Sequence, residues 1–357
     1  MRALVLSAPV GESHAAMARA LAADLRRLDA SASVTVLDDL SVLGPRLGRL
    51  LERGFRRHLG EARRSYDVAY RLFTGVAPAR RFGEAALYRL GGQALAATVA
   101  RHEPDVVVST YPVLNPVLAG LRRSGRVGCP AAAVVDPLGG LGFWVAPGLD
   151  LHMLHHAEAL EEVRRRAGGG RVVAVRPLVR EEFYARDGSA APVESAIPAG
   201  RRLVVVSGGG WGAGDLDGAI RACLRVADTH VIAIAGRNER LREELAARHR
   251  AEPRVTVRGF VERMAPLLRA ADALVTATAG LSCLEARLCG CPVVCYGFLV
   301  GHVRDNTAAL ARHGLARVAA TPAELVDALQ AVLAEGRPPV ADLASLPRAA
   351  ELVAALT

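Results

Sequence analysis

The sequence predicts an α/β protein of two Rossmann-like domains, each a doubly wound parallel sheet with helices on both faces. The length of 357 residues suggests two domains. Short apolar runs alternate with helical patterns, which is typical of strands buried on both faces. The alternation stops at residues 186–201, a segment rich in Ala, Pro, Ser and Gly, and then starts again. We therefore expect a first domain over residues 1–185, a linker over 186–201 and a second domain over 202–357.

The elements of each half follow the same order of strand, loop and helix. A strand at Arg2–Ser7 leads into a helix over residues 14–28, whose apolar residues recur at helical spacing. The other strands of the first half are predicted at Val34–Leu37, Val106–Ser109, Ala132–Val135, Leu151–Leu154 and Val172–Val175. Those of the second half are predicted at Leu203–Val206, Val231–Ala235, Val255–Val257, Ala273–Thr276 and Val293–Tyr296. We expect the two domains to face each other across a cleft, with functional residues just after the strands.

Residues 46–89 differ in composition from the rest of the chain. They contain eleven arginines and four acidic residues, a charge of +7 out of +9 for the whole sequence. Leucines and aromatic residues are interleaved with the arginines, so the stretch is basic and amphipathic. It is either an ordinary solvated helical surface or a region that lies on anionic lipid. No nucleic-acid-binding motif accompanies the charge, so we expect no nucleic acid partner.

The use of basic residues excludes several mechanisms, because all 45 of them are arginine. A chain without lysine cannot form a Schiff base, hold pyridoxal phosphate in the usual way or use a Walker-type lysine. No apolar run reaches the ~18 residues that span a bilayer, and the N-terminus lacks the pattern of a secretory signal. We therefore expect a cytoplasmic protein, peripheral on the inner face of the plasma membrane.

Four of the six cysteines lie between Cys283 and Cys295, so a metal site has to be considered. Their spacing fits none of the usual zinc-binding patterns. We expect buried free thiols in a reducing compartment, and no metal.

Two glycine-containing loops are candidates for binding phosphate. Gly208, Gly209 and Gly210 follow one predicted strand, and Thr278–Ser282 follows another and opens a helix. Glycine lets an anion approach the backbone, and a helix N-terminus presents N–H groups to it. No pair of carboxylates suited to magnesium accompanies these loops, so Arg180 and the helix ends would have to neutralise a diphosphate.

Several motifs occur in an order and spacing that identify a family. In the second half these are Gly259-Phe260-Val261, Ala271-Asp272, Thr276 to Glu285, Ala286, Gly290, Pro292, Gly301 and Asn306. In the first half they are His14, Tyr70-Arg71-Leu72-Phe73, Pro104-Asp105, Ser109-Thr110-Tyr111-Pro112, Asp136 with Trp144, and residues 177–183. The chain thereby resembles, over nearly its whole length, the monogalactosyldiacylglycerol synthases and the processive diacylglycerol glucosyltransferases. It resembles more distantly the lipid II N-acetylglucosaminyltransferase. These are inverting glycosyltransferases of the GT-B fold.

The resemblance implies a metal-independent transfer of a hexose from a UDP-sugar to a hydroxyl of diacylglycerol or a related lipid, without a further cofactor. It implies His14 as the general base, with Asp136 as a rival or helper. The residues implied around the donor are Gly11, Arg180, Gly208, Gly209, Gly210, Gly236, Phe260, Val261, Gly280, Leu281, Ser282, Glu285, Gly301, His302 and Asn306. Those implied on the acceptor side are Glu12, Tyr111 and Trp144, with a core position as the alternative for Trp144.

The sequence departs from the family pattern at four places. The histidine that usually lies between the Asp and the Trp is missing, with Leu141 near its place. Gly11-Glu12-Ser13-His14 replaces a glycine-rich loop, Thr278-Ala279-Gly280 keeps one glycine of Pro-Gly-Gly, and His302-Val303 replaces Gln followed by Glu or Gln. Valine cannot hydrogen-bond to a sugar hydroxyl, so the donor sugar and the acceptor stay open. The alternatives are transfer to a soluble secondary metabolite, a non-catalytic UDP-binding relative, and a UDP-sugar 2-epimerase with the same architecture.

Overall fold

The computed structural model describes residues 1–10, 12–60, 63–185, 200–297 and 300–357. The described chain forms two units. The first consists of Met1–Val179, Val300–His302 and Leu343–Thr357, and the second of Arg180–Leu299 and Val303–Asp342. Gly11 and all but the last two residues of the predicted linker lie outside the described residues.

The first unit contains a six-stranded parallel sheet of spatial order β2-β1-β3-β4-β5-β6. Its strands are β1 (Arg2–Ser7), β2 (Ser33–Asp38), β3 (Val106–Ser109), β4 (Ala131–Val135), β5 (Leu151–Leu154) and β6 (Arg171–Ala174). Its helices are α1 (Ser13–Leu28), α2 (Pro45–Gly60), α3 (Arg63–Gly75), α4 (Ala77–His102), α5 (Leu114–Arg123) and α6 (Leu160–Ala167). The predicted parallel sheet is confirmed, and each strand lies within one residue of its predicted bounds.

The order of this sheet reverses between β1 and β3. The chain adds β2 on one side of β1 and then crosses to β3 on the other side. At such a point the connections leave the sheet in opposite directions, which opens a crevice at the carboxyl ends of the strands. Helix α1 is fixed there by Met17, Leu21 and Leu25, which are spaced by one turn and fully buried.

The second unit contains another six-stranded parallel sheet, of order β12-β11-β10-β7-β8-β9, with its reversal between β7 and β10. Its strands are β7 (Arg202–Ser207), β8 (Thr229–Ile234), β9 (Val255–Arg258), β10 (Ala273–Thr276), β11 (Val293–Tyr296) and β12 (Arg317–Ala319). Its helices are α7 (Leu216–Cys223), α8 (Glu239–Arg248), α9 (Met264–Ala270), α10 (Leu281–Leu288), α11 (Gly301–Arg312) and α12 (Pro322–Glu335). The predicted sheet is confirmed, and β12 is an additional short edge strand.

The last helix, α13 (Ala349–Ala354), packs on α1 of the first unit. Leu352 and Val353 are buried there, and the Arg348 guanidinium lies 3.9 Å from the carboxylate of Asp24. The sequence analysis assigns this segment to the second domain, whereas the structure groups it with the first unit. A short alanine-rich helix has no pattern that identifies the sheet on which it packs.

Helices α2, α3 and the start of α4 contain the basic stretch. Nine large apolar side chains are exposed in the described part of the chain, and six of them lie between residues 50 and 90. These six are Leu50, Val68, Leu72, Val76, Phe82 and Leu90. Within the described ranges, no helix is long and apolar enough to cross a membrane.

His152 makes the stability of the first unit depend on pH. It lies in β5, between β4 and β6, and is fully buried. Burial lowers its pKa to about 4, although the Ala146 backbone acts in the opposite direction. Since the folded pKa lies below the ordinary value of 6.5, the imidazole contributes fully to stability above about pH 6.5. That contribution is lost as the pH falls toward 4.

We expect the protonation of His152 in the unfolded chain to cost about 3 kcal/mol of unfolding free energy between pH 7 and pH 4. Urea unfolding of the wild type and of His152→Gln at pH 7, 5.5 and 4 measures this effect. The other titrating groups are common to both proteins, so the difference between their pH dependences isolates His152. Identical pH dependences would contradict the assignment.

Candidate active site

In the first unit, His14 is held by a backbone carbonyl at the carboxyl edge of the sheet. It lies in the first turn of α1, and its Nδ1 is 2.8 Å from the carbonyl oxygen of Thr110, which directly follows β3. A carbonyl oxygen can only accept, so Nδ1 carries the proton and donates it. In the neutral ring, Nε2 is then the nitrogen with the free lone pair. This is the tautomer that a general base requires.

The surroundings of His14 favour its neutral form. Burial lowers the pKa of His14, while the hydrogen bond to Thr110 and the charges of Asp136 and Asp38 act in the opposite direction. The Tyr111 ring lies edge-on with its centroid 4.9 Å from that of His14, and the Trp144 ring lies at 5.5 Å. Both aromatic side chains are buried. Both rings therefore lie next to the imidazole. Tyr111 and Trp144 are the residues predicted to lie on the acceptor side, and that role stays a prediction.

Asp136 forms a buried pair with a histidine that the sequence analysis did not select. The Nδ1 atom of His155 lies 2.9 Å from Oδ1 of Asp136. The backbone N–H of Leu178 donates to Nε2 of His155 at 3.2 Å, so the proton of the neutral ring is on Nδ1 and points to Asp136. Burial raises the pKa of the Asp136 carboxyl, but His155, then His156 and His14, lower it below its ordinary value. Asp136 is thus an ionised carboxylate.

These groups follow neighbouring strands at one edge of the sheet. His14 comes after β1, Thr110 after β3, Asp136 after β4 and His155 after β5, and these strands are adjacent in that order. The sequence contains a usable indication of His155, because it directly follows the predicted strand Leu151–Leu154. A polar residue at the carboxyl end of a parallel strand is a candidate site residue.

Glu12 precedes α1 as its N-cap residue and lies close to a cation. Its carboxylate is 3.9 Å from the guanidinium of Arg19, two turns further along the helix. This contact directs at least part of its charge toward α1. Its predicted role on the acceptor side stays a prediction.

In the second unit, a compact turn follows β7. Residues 209–211 form a 3-10 turn, and the Ala213 N–H donates to the Gly208 carbonyl at 2.8 Å. A Cβ on Gly208 would lie 2.6 Å from the backbone of Ala213, so only glycine fits. The next helix, α7, begins at Leu216, and the Asp215 carboxylate caps it by accepting from the Gly218 N–H.

The loop after β10 leads directly into helix α10, as predicted. Gly280 is the N-cap of α10 and has no side chain that could occupy the N–H groups of the first turn. The buried Asn306 donates from its amide to the carbonyl of Ala279, which fixes the loop. Leu281, Ser282 and Glu285 lie within the first five residues of α10, and Leu281 is buried while the other two are half-buried. The first turn of α10 is therefore the better placed of the two candidate anion sites.

The two glycine loops lie beside each other at the reversal of the sheet. A Cβ on Gly209 would lie 3.5 Å from Oγ1 of Thr278. Gly236, which follows β8, contacts the same turn, because a Cβ there would lie 2.4 Å from the carbonyl oxygen of Gly209. The loops after β10, β7 and β8 thus meet at one edge of the sheet, as the predicted donor site requires.

The loop after β9 contains Phe260 and Val261, the predicted contacts of the base. Phe260 is 42% exposed, and the guanidinium carbon of Arg237 lies 3.9 Å from the centre of its ring. Arg180, predicted to hold the diphosphate, donates to the backbone carbonyl of Glu262 in the same loop and lies 2.7 Å from the carboxylate of Glu182. Arg180 therefore contacts the base loop in this structure.

Gly301 and His302 open helix α11, and the next residue, Val303, is buried. An apolar, buried side chain offers no hydrogen bond to a sugar. At Val303 the polar residue of the family pattern is therefore lost, and the valine side chain does not provide a hydrogen-bonding group in its place.

The cysteines are free thiols. Cys283, Cys289, Cys291 and Cys295 are buried, and burial raises the pKa of Cys291 to about 12. Among the described residues no group of three or more possible metal ligands is found.

Comparison with known proteins agrees with this geometry. Residues 201–335 match the family model described as glycosyl transferases group 1. The processive diacylglycerol beta-glucosyltransferase of Bacillus subtilis (strain 168) is 23% identical over 340 residues, which cover 94% of this chain and 87% of the relative. The spinosyn rhamnosyltransferase SpnG complexed with thymidine diphosphate superposes with a TM-score of 0.62 at 16% identity, with full coverage of both chains. MurG of Acinetobacter baumannii superposes with a TM-score of 0.58 at 16% identity, covering 99% of this chain and 100% of that one.

The protein is a glycosyltransferase of the GT-B type. The resemblance inferred from the motifs is therefore confirmed, as is the two-sheet α/β architecture of the glycosyltransferase.

The close approach at Gly236 generates a prediction about stability. Its φ of +64° is a left-handed conformation, and an added Cβ would collide with Gly209 and Gly210. We expect Gly236→Ala to lower the unfolding free energy of the second unit by about 2 kcal/mol or more. Gly314→Ala is the matched control, because Gly314 has a φ of +66° and nothing within 4 Å of the added Cβ. Urea unfolding of both variants measures the difference, and an equal loss in both would show that the collision is unimportant.

Proposed function

We propose that this glycosyltransferase transfers a hexose from a UDP-sugar to a hydroxyl of diacylglycerol or a related lipid, with inversion and without a metal ion. The single observation that carries the proposal is the arrangement of His14, with its Nδ1 proton bound to the Thr110 carbonyl and an ionised Asp136 nearby. The names of the relatives supply the substrate class. The relatives from Bacillus licheniformis and Bacillus subtilis are processive diacylglycerol beta-glucosyltransferases and align with 93% and 94% of the chain.

His14 is the proposed general base, and Asp136 is its electrostatic helper. The lowered pKa of His14 keeps the imidazole neutral near pH 7, and Nε2 has the lone pair that can accept a proton. Asp136 already accepts the Nδ1 proton of His155, and its own lowered pKa makes the carboxylate a weak base. Its negative charge instead stabilises the imidazolium that forms when His14 takes up the proton.

In the proposed step the acceptor oxygen attacks the anomeric carbon of the donor sugar. The bond from this carbon to the phosphate oxygen breaks, and its electron pair leaves with UDP. The hydroxyl proton moves to Nε2 of His14. Attack from the side opposite the leaving group inverts the anomeric centre. The positive charge of the imidazolium forms near the Asp136 carboxylate, and the negative charge that UDP gains would be stabilised by the N–H groups at the start of α10.

The second unit is proposed to hold the donor. The N–H groups at the start of α10 and the hydroxyl of Ser282 would bind the diphosphate, because a helix N-terminus carries a positive partial charge. Glu285, one turn further along α10, would accept from the ribose hydroxyls. The backbone of Phe260 and Val261 would contact the uracil. Loss of polar contacts at Val303 is the reason that the donor hexose is left unspecified.

Helices α2–α4 are proposed to lie on an anionic membrane surface. Their exposed apolar side chains, such as Leu72, Phe82 and Leu90, alternate with the exposed arginines Arg81 and Arg89. Apolar residues that insert at the lipid interface and cations that meet anionic headgroups are the two contributions to such binding. A cytoplasmic protein that acts on a membrane lipid needs this kind of surface.

The assignment of the base is tested by two substitutions. We expect His14→Ala to lower kcat about 10³-fold and Asp136→Asn to lower it about 10- to 100-fold, both with unchanged UDP affinity. The rate should fall as the pH drops through the pKa of His14, below 6.5. Because the Asp136 charge raises that pKa, Asp136→Asn should move this acid limb to lower pH. A larger loss for Asp136→Asn than for His14→Ala would reverse the two roles.

The membrane surface is tested by flotation with vesicles that contain phosphatidylglycerol. We expect the triple substitution Leu72→Ser, Phe82→Ser and Leu90→Ser to weaken vesicle binding at least about tenfold. Val340→Ser is the matched control, because Val340 is also exposed, at 50%, but belongs to the second unit and not to α2–α4. Equal binding by the triple variant and the control would contradict the proposed surface.

A soluble acceptor is the second candidate, and the spinosyn aglycone bound by SpnG is an example of such an acceptor for the same fold. UDP release from UDP-glucose, UDP-galactose and UDP-N-acetylglucosamine, with and without diacylglycerol in anionic vesicles, separates the candidates. Release that requires the lipid supports the proposal, and the most active donor identifies the sugar. Binding of UDP without release in either condition contradicts lipid transfer.

A further inference from the structure

We infer that Arg180 and Arg237 are positioning residues that hold the loop Gly259–Glu262 in the conformation that binds the nucleobase. The inference rests on the proposed function, in which this loop contacts the base. It gives Arg180 a role different from the predicted one, which is a direct bond to the diphosphate.

Arg237 supports the loop through the ring of Phe260. Its guanidinium carbon is 3.9 Å from the ring centroid, well within the range of a cation–π contact. The backbone N–H of Arg237 donates to the carbonyl of Gly210 at 2.8 Å. Arg237 thus connects the base loop to the glycine turn after β7. A ring held against a guanidinium on one face presents a fixed platform at its exposed face.

Arg180 supports the other end of the loop. Its guanidinium donates to the backbone carbonyl of Glu262, 82 positions further along the chain. A second nitrogen of the same guanidinium lies 2.7 Å from the Glu182 carboxylate, which is only 19% exposed. Glu182 also lies 3.6 Å from the guanidinium of Arg263, the residue after Glu262. The turn that contains Arg180 and Glu182 is therefore tied to the chain at the end of the base loop.

These contacts explain how a short loop can have a defined shape. Glycine at 259 gives the backbone freedom, and Phe260 is exposed rather than packed in the core. Without external contacts the backbone groups of Phe260 and Val261 would have to be ordered when the base binds. The contacts of the two arginines, one at each end of the loop, order these backbone groups before the base binds. This lowers the conformational entropy that is lost on binding.

Binding of uridine and of UDP distinguishes positioning of the base loop from a bond to phosphate. We expect Arg180→Met to weaken both ligands by the same factor, about three- to tenfold, in NMR titrations of the full chain. A direct bond to the diphosphate would instead weaken UDP and leave uridine unchanged, which would overturn the inference for Arg180. Arg240→Gln is the control, because Arg240 lies on α8 and pairs with Glu244. Thermal melting of each variant confirms that it is folded.

A double-mutant cycle tests the contact of Arg237 with the ring. We expect Arg237→Gln and Phe260→Leu each to weaken uridine and UDP about threefold to fivefold, and the double variant to be no weaker than Phe260→Leu alone. Fully additive losses would show that Arg237 acts elsewhere and would overturn the inference for it.

The wild-type protein separates failure of this inference from failure of the proposed function. If it binds neither UDP nor uridine, the proposed donor site is wrong. If it binds UDP but not uridine, the donor site stands, and the inference fails because the base loop then contributes little to binding.

Discussion

The structure depends on one constraint, which is that all strands of a parallel sheet end at the same edge. Every connection must therefore leave from that edge and return to the opposite one. Where the strand order reverses, between β1 and β3 in one unit and between β7 and β10 in the other, no helix covers the gap between diverging connections. The catalytic candidates of the first unit and the glycine loops of the second lie at these two reversals.

The same constraint accounts for the tautomer of His14. The Thr110 carbonyl comes directly after β3, where the chain leaves the sheet. His14, at the start of the neighbouring helix, satisfies this acceptor with its Nδ1 proton at 2.8 Å. A buried carbonyl without a donor is costly, so the bond is maintained by the fold itself. The lone pair on Nε2 is thus a consequence of backbone hydrogen bonding.

The sequence was sufficient to predict both sheets, because buried parallel strands are short apolar runs whose ends are marked by polar or glycine residues. The glycine loops were identifiable for the same reason, whereas His14 and Asp136 were identified through the resemblance to a known family. The partner of Asp136 was not, since the pairing with His155 depends on the adjacency of β4 and β5, which the order of the chain alone does not state. The place of α13 was equally inaccessible. Its few apolar residues would fit either unit, and the choice depends on complementary packing against α1.

The number of arginines in the sequence does not show which of them are available to bind a charged partner. Several of them bridge backbone carbonyls: Arg337 donates to Ala271 and Cys289, and Arg269 donates to Glu182 and Ala185. Such residues are structural, and their charge is partly neutralised by the oxygens they contact.

Outside residues 46–89 the net charge is only +2, whereas that stretch carries +7. Among its described arginines, Arg71 lies 2.8 Å from the Asp67 carboxylate, and Arg80 lies 3.7 Å from that of Glu84. The excess of cations in the stretch nevertheless coincides with five of the nine large apolar side chains that are exposed in the described part of the chain. Single exposed apolar residues are normal on a solvated surface, but their concentration in one cationic stretch is not, and a nucleic-acid-binding surface would favour stacking aromatics. The proposed anionic lipid interface accounts for both features, whereas a solvated surface accounts only for the charge.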